Sequence, residues 1–248
     1  MTLDNLICGI IGSIISTIII TIATKMYLGV SNFQGLKGSI RLLRDCYRGG
    51  VINIFPNRKT YVQHKDHGTA SQYISTRCTD RLIYVGYWLA HGTEMGDIID
   101  MLKKLILDKK DVEVVLLNPK NNNLVREIAD YMKIDTLEMK QRIKTSLSKL
   151  SKLKRELPDK QSEHFQIKVH NIPINASAFI IDYNNQKMRI LVDYKIYNHE
   201  SDKSYGIEFA DTNKIVTKNL LDAYLQICQN SNKYEPEIKG EKKSTDET

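Results

Sequence analysis

The chain has 248 residues, a formal net charge of +7 and 4 cysteines. Beyond an apolar N-terminal run, about 200 residues suffice for one domain with a proper core, and the lack of any internal repeat excludes a solenoid. Cys46, Cys78 and Cys228 are scattered without pairing or ligand spacing, which excludes a disulfide framework and fits reduced cytosolic thiols.

Leu6 to Thr24 contains no charged residue and is dominated by isoleucine. As a helix it would be about 28 Å long, close to the hydrocarbon thickness of a bilayer. The expectation is a retained single-pass transmembrane helix within residues 1–28. A cleaved signal peptide fits poorly, because Asp4 is the only charge ahead of the run and no small-x-small site precedes an export-like sequence. Lys25, Lys37, Arg41, Arg44 and Arg48 all follow the run. By the positive-inside rule the body of the chain is then cytoplasmic, at the inner membrane. With the lipid bilayer as first partner, the modest basic excess is read as attraction to anionic headgroups, not to nucleic acid. Gly9, Ser13 and Thr17 fall on one helical line with Gly12 and Ser16 beside it. Such lines let two helices pack closely, although small residues are also common in membrane helices generally.

Residues 29–50 read as a juxtamembrane connector with a short helix over Ser39–Tyr47, and residues 51–229 as one α/β domain. Val51–Ile54 has the look of a short strand. Arg81–Trp88 is a mostly apolar run, followed by a helical stripe over Glu94–Leu107 and a second strand, Val112–Leu117. That makes a βαβ unit and predicts a parallel sheet. Helices are predicted over Asn123–Met132 and Leu137–Leu157, strands over Phe165–Val169, Ala176–Asp182 and Met188–Tyr194, and a last helix over Val216–Cys228. The long helix carries Lys140, Arg142, Lys144, Lys149, Lys152, Lys154 and Arg155. No aromatic residue interleaves them, so a solvated or membrane-facing surface is favoured over a nucleic-acid groove. Residues 230–248 are polar and read as a disordered tail.

There is no glycine-rich phosphate loop, no serine-hydrolase elbow and no zinc spacing, so no cofactor or metal is expected. His64 and His67 flank Asp66 in a polar stretch without a third ligand, and a solvent-exposed pair is the better reading.

The informative stretch is Asn175-Ala-Ser177-Ala-Phe-Ile-Ile-Asp182. It resembles the His-x-Lys-x-x-x-x-Asp signature of the phospholipase D-like superfamily, with Asn175 at the His position, Ser177 at the Lys position and the terminal Asp kept as Asp182. Asn198 and Glu208 echo the family's downstream Asn and acid. Val51–Arg58, Ile83–Trp88 and Val114–Pro119 are similar to a bacterial subgroup that also tends to lack the catalytic pair. The resemblance implies a phospholipase D-like sheet with flanking helices behind the one transmembrane helix. It also implies a homodimer, because single-unit members of the superfamily pair two subunits to build one site.

Phosphodiester transfer of this type needs one imidazole to attack phosphorus and a second to protonate the leaving oxygen. An amide such as Asn175 can do neither, and Ser177 cannot supply a lysine's charge. The expectation is therefore a domain without catalytic residues. Its cleft at the strands' carboxyl ends would hold a nucleotide-like or phosphate ligand, or a partner. The candidate contacts are Arg58, Trp88, His91, Lys120, Asn175, Asp182, Asn198, His199 and Glu208. By analogy of architecture such a protein would be a membrane-anchored sensor or effector in antiphage defence. The alternative is an active membrane-bound phosphodiesterase or nuclease using His91, His170 or His199.

Overall fold

In a computed structural model the described residues are 33–55, 69–89, 92–194 and 205–236. The chain divides into two units, Met1–Arg48 and Gly49–Thr248. The first contributes helix α1 (Phe33–Gly49), longer than the predicted Ser39–Tyr47, with an exposed Arg41–Asp45 pair one turn apart at 3.8 Å.

The second unit is built on one eight-stranded sheet. Its strands are β1 (Val51–Phe55), β2 (Arg81–Gly86), β3 (Asp111–Leu117), β4 (Phe165–His170), β5 (Ala176–Ile181), β6 (Arg189–Tyr194), β7 (Tyr205–Ala210) and β8 (Asn232–Lys233), in the order β1-β7-β6-β5-β2-β3-β4-β8. The predicted parallel pairing holds for β2, β3 and β4. β5 enters beside β2 antiparallel, and β6, β7 and β1 continue antiparallel from it. The sheet is therefore mixed. The cause is local: the short connections Asn171–Asn175, before β5, and Asp182–Met188, between β5 and β6, leave no room for the crossovers that parallel strands require.

Strand alternation sends side chains to two cores. Leu82 and Tyr84 join Val114, Leu116, Phe165 and Ile167 on one face. There they meet the apolar stripes of α3 (Gly92–Leu107) and α5 (Thr136–Glu156), including Leu102, Leu105, Ile143 and Leu147. Ile83 and Val85 join Ala178, Ile180, Ile190 and Val192 on the other, covered by Leu221, Tyr224 and Cys228 of α7 (Ile215–Gln229). The result is three layers, helix on sheet on helix. Gly50 sits at φ +84°, and a Cβ there would lie 2.1 Å from Thr217 Oγ1 and 2.6 Å from the Ala210 carbonyl. Only glycine fits where the chain enters β1 against α7.

Shorter helices complete the unit: α2 (Ala70–Arg77), α4 (Asn122–Met132) and α6 (Asp159–Ser162). The Asn121 side chain accepts from the Leu124 N–H to open α4, and Asp135 accepts from the Leu137 and Glu138 N–H groups to open α5. These caps fix the helix starts beside the carboxyl ends of the parallel strands.

Two expectations are corrected. Among the described residues no helix is long and apolar enough to cross a membrane. The 21-residue α5 has the length, but Lys140, Arg142, Lys144 and their neighbours make it amphipathic. The fold described is thus a mixed α/β sheet with flanking helices, without the transmembrane helix of the expected fold class; the run Leu6–Thr24 lies outside the described residues. The tail prediction is also shortened. Asn232 pairs with Val169 and Lys233 with Lys168, adding an eighth strand where a disordered tail was expected.

Candidate ligand-binding site

The carboxyl ends of β2 and β4 and the chain leading into β5 meet under α4 and α7. There a cleft of about 630 Å³ opens, lined by Tyr87, Glu127, Tyr131, Asn175 and Tyr224 among apolar neighbours such as Leu124 and Leu220. Tyr87 follows β2, and its hydroxyl donates to the Ile174 carbonyl. The Tyr224 hydroxyl donates to the Ala176 carbonyl at 3.2 Å. Burial pushes the Tyr87 phenol up to about 12 and raises that of Tyr224 as well. Both remain neutral, so among the described residues Glu127 is the only formally charged side chain lining the cleft, and no described cation does.

His170, at the end of β4, is fully buried. Its Nε2 lies 3.3 Å from the Gly86 carbonyl, and the Ile172 N–H donates to its Nδ1 at 3.3 Å. That fixes the tautomer with the proton on Nε2. Burial holds its pKa below the usual histidine value. Nε2 ties β4 to β2 and Nδ1 holds the turn that follows β4, so this imidazole has no lone pair to offer a substrate.

The sequence candidates disperse. Arg58, His91, Asn198 and His199 lie outside the described residues. Asn175 lines the cleft. Trp88 is 8% exposed, with the Arg142 guanidinium 5.6 Å from its ring centre, and it belongs to the core. Lys120 lines a different cleft.

Asp182 stands at the opposite end of β5. It is seven positions from Asn175 along extended chain, about 23 Å away, just beyond the Ile181–Leu82 pairing that ends β5. Its carboxylate accepts from the N–H groups of Thr79, Asp80 and Arg81, each at 2.9 Å, and from the Thr79 hydroxyl at 2.6 Å. Burial alone would raise its pKa, but these donors outweigh that and hold it below the usual carboxylate range. It staples the entry to β2.

Glu208 is also fully buried, on β7. It accepts from Asn53 Nδ2 at 2.6 Å and from the Tyr73 hydroxyl, and Arg189 Nε lies 3.6 Å away. Burial, then the bond to Glu208, raises the Tyr73 phenol. This carboxylate joins β1, β6, β7 and α2 and does not line the cleft between α4 and α7. The cleft residues that sequence reading passed over, Glu127 and Tyr131 on α4 and Tyr224 on α7, sit on helical stripes that look like ordinary core or surface. Only the meeting of α4 and α7 at one cleft marks them.

No known protein-family model and no curated protein matches the sequence. Among solved structures, Nuc from Salmonella typhimurium, described as a phospholipase D family member, is similar at 12% identity with a TM-score of 0.41, over 69% of this chain and 95% of its own. The archaeal chromatin protein TrmBL2 is similar at 9% identity and a TM-score of 0.42, over 94% of this chain and 71% of its own. Phosphatidylserine synthase of Haemophilus influenzae is similar at 12% identity and a TM-score of 0.44, over 67% of this chain and 37% of its own.

Proposed function

We propose that residues 49–236 form a catalytically silent phospholipase D-like domain that works as a binding module. Its ligand is an uncharged, planar organic molecule of the nucleoside class, held between α4 and α7. The observation that carries this reading is the make-up of the cleft. Its motif residue is an amide, Asn175, and the lining contributed by the described residues is apolar and phenolic with one carboxylate and no cation. Phosphate groups would meet Glu127 without a counter-charge, whereas a base with ring N–H or amino donors would find Asn175, Glu127 and the flat faces of tyrosines. The volume of about 630 Å³ falls in the range of small-ligand sites. A ligand bridging the two helices would stiffen α7 against the sheet, the basis of a sensor role.

Calorimetric titration of the full chain with nucleosides and with their 5′-phosphates tests the reading. At least one nucleoside should bind, its phosphate at least tenfold more weakly, and Ala223→Trp, which fills the cleft, should abolish binding. Bis(4-nitrophenyl) phosphate should be hydrolysed no faster than background. Hydrolysis that is lost on Asn175→Ala, or preference for the phosphorylated ligand, would overturn the proposal.

A further inference from the structure

A second, larger concavity of about 1150 Å³ lies between Pro119–Asn122, one face of α5 and the segment that follows β8. Its character is opposite to that of the first. Lys120, Lys140, Lys144, Lys149 and Arg155 line it, against one carboxylate, Glu235. On α5 the lining positions Lys140, Lys144, Ser148, Ser151 and Arg155 recur every three or four residues. They therefore form one row of cations and hydroxyls, in steps of about 6 Å.

The helix's own carboxylates are engaged elsewhere: Glu138 pairs with Arg142, and Glu156 with Lys152 at 3.6 Å. Lys144, Lys149 and Arg155 have no ion pair with any described residue. Close by, Lys154 donates to the Phe165 carbonyl at 2.6 Å; burial and the Lys233 charge keep its pKa below the ordinary lysine value. The region thus holds more positive charge than the fold neutralises.

The same cleft contains the aromatic residue missing from the sequence of α5. Pairing of β8 with β4 brings in Tyr234, half-buried and pinned by its N–H to the Ile167 carbonyl at 2.9 Å. A planar bilayer cannot enter a concave groove, and a compact mononucleotide would meet only part of the row. A flexible strand with regularly spaced phosphates meets all of it.

We propose that this cleft binds single-stranded nucleic acid, its phosphates along the Lys140–Arg155 row and a base against Tyr234. The inference goes beyond the proposed function and does not rest on it, because the two clefts share no lining residue.

The test is fluorescence anisotropy of the full chain with a labelled oligonucleotide of about 16 nucleotides, long enough to cover the site of most single-strand-binding modules. Binding should weaken with salt, with a log–log slope of about −2 to −3, as expected for three or four phosphate contacts on a single strand. Lys140→Glu with Lys144→Glu should weaken binding on the order of tenfold or more and flatten that slope, and Tyr234→Ala should weaken it at unchanged slope. Lys103→Glu with Lys104→Glu, exposed on α3 outside the cleft, should change little. Should the first pair fail to fold, Lys149→Glu with Arg155→Glu carries the same expectation, since both side chains are exposed. The proposal is overturned if cleft and control variants bind alike. It is also overturned if the oligonucleotide does not bind while phosphatidylserine vesicles do so through Lys140 and Lys144.

Discussion

At the scale of single residues, Asp182 shows how a motif position can be conspicuous for a structural reason. Its oxygens occupy the donors of Thr79, Asp80 and Arg81, and its backbone takes the left-handed conformation, φ 50°, which Asp tolerates better than most residues. Replacing it with Ala would strand those N–H groups where the side chain is 1% exposed. Thr79 and Asp80 are exposed, so water can take over part of these bonds; an unsatisfied donor costs about 1–3 kcal/mol, and Asp182→Ala should lower unfolding stability by about 1–3 kcal/mol in urea titrations. Nucleoside affinity of the folded fraction should be unchanged, because the cleft is at the opposite end of β5. A variant of near-parental stability would remove the staple role. Asn175, from the same stretch, reaches the cleft because it stands at the other end of the strand.

Among the elements, α2 is held by a capping box. The Gln72 N–H donates to Thr69 Oγ1 at 3.2 Å, and the Thr69 N–H donates to the Gln72 side chain at 3.0 Å. Thr69→Ala removes one side of it and should cost about 1 kcal/mol, measurable as a shift in the urea midpoint with unchanged slope. The Thr-x-x-Gln spacing was the readable signal for a helix that its few apolar residues, Tyr73 and Ile74, did not announce. Strands β2 to β4 and helices α3 to α5 were legible because burial writes its period directly into long apolar patterns. β7 was not, since a glycine and the buried Glu208 interrupt its pattern, and that carboxylate is tolerable only beside Asn53, Tyr73 and Arg189, which lie far away in sequence. β8 was hidden for a different reason: two exposed polar residues pair through backbone alone. The site was legible only as far as Asn175 and the strand ends, because each cleft is assembled from segments that lie far apart in the chain.

For the molecule as a whole, acid stability joins these local arrangements. His170 has its pKa lowered by burial, so between the unfolded value of about 6.5 and its own lower value the unfolded chain binds a proton that the folded chain refuses. Its neutral form thus contributes stability above pH about 6.5 that is lost as pH falls, by at most about 1.4 kcal/mol per pH unit. Asp182 and Asp111 have the opposite chemistry and the same direction of loss. Asp111 accepts from His164 at 2.8 Å and from Arg81 at 2.5 Å, and these bonds hold its pKa below the usual carboxylate range. Both carboxylates stabilise the fold above their unfolded values near pH 4, and that contribution disappears as pH falls through their folded values. Two windows are therefore expected in urea titrations across pH. His170→Gln keeps an amide donor for the Gly86 carbonyl and removes the ionisation. It should flatten the decline that sets in as pH falls below about 6.5 while leaving the steeper loss below pH about 4 intact. Parallel curves for parent and variant would mean that the folded chain protonates at His170 as readily as the unfolded one. In that case the β2–β4 junction would have to open to water at mildly acidic pH.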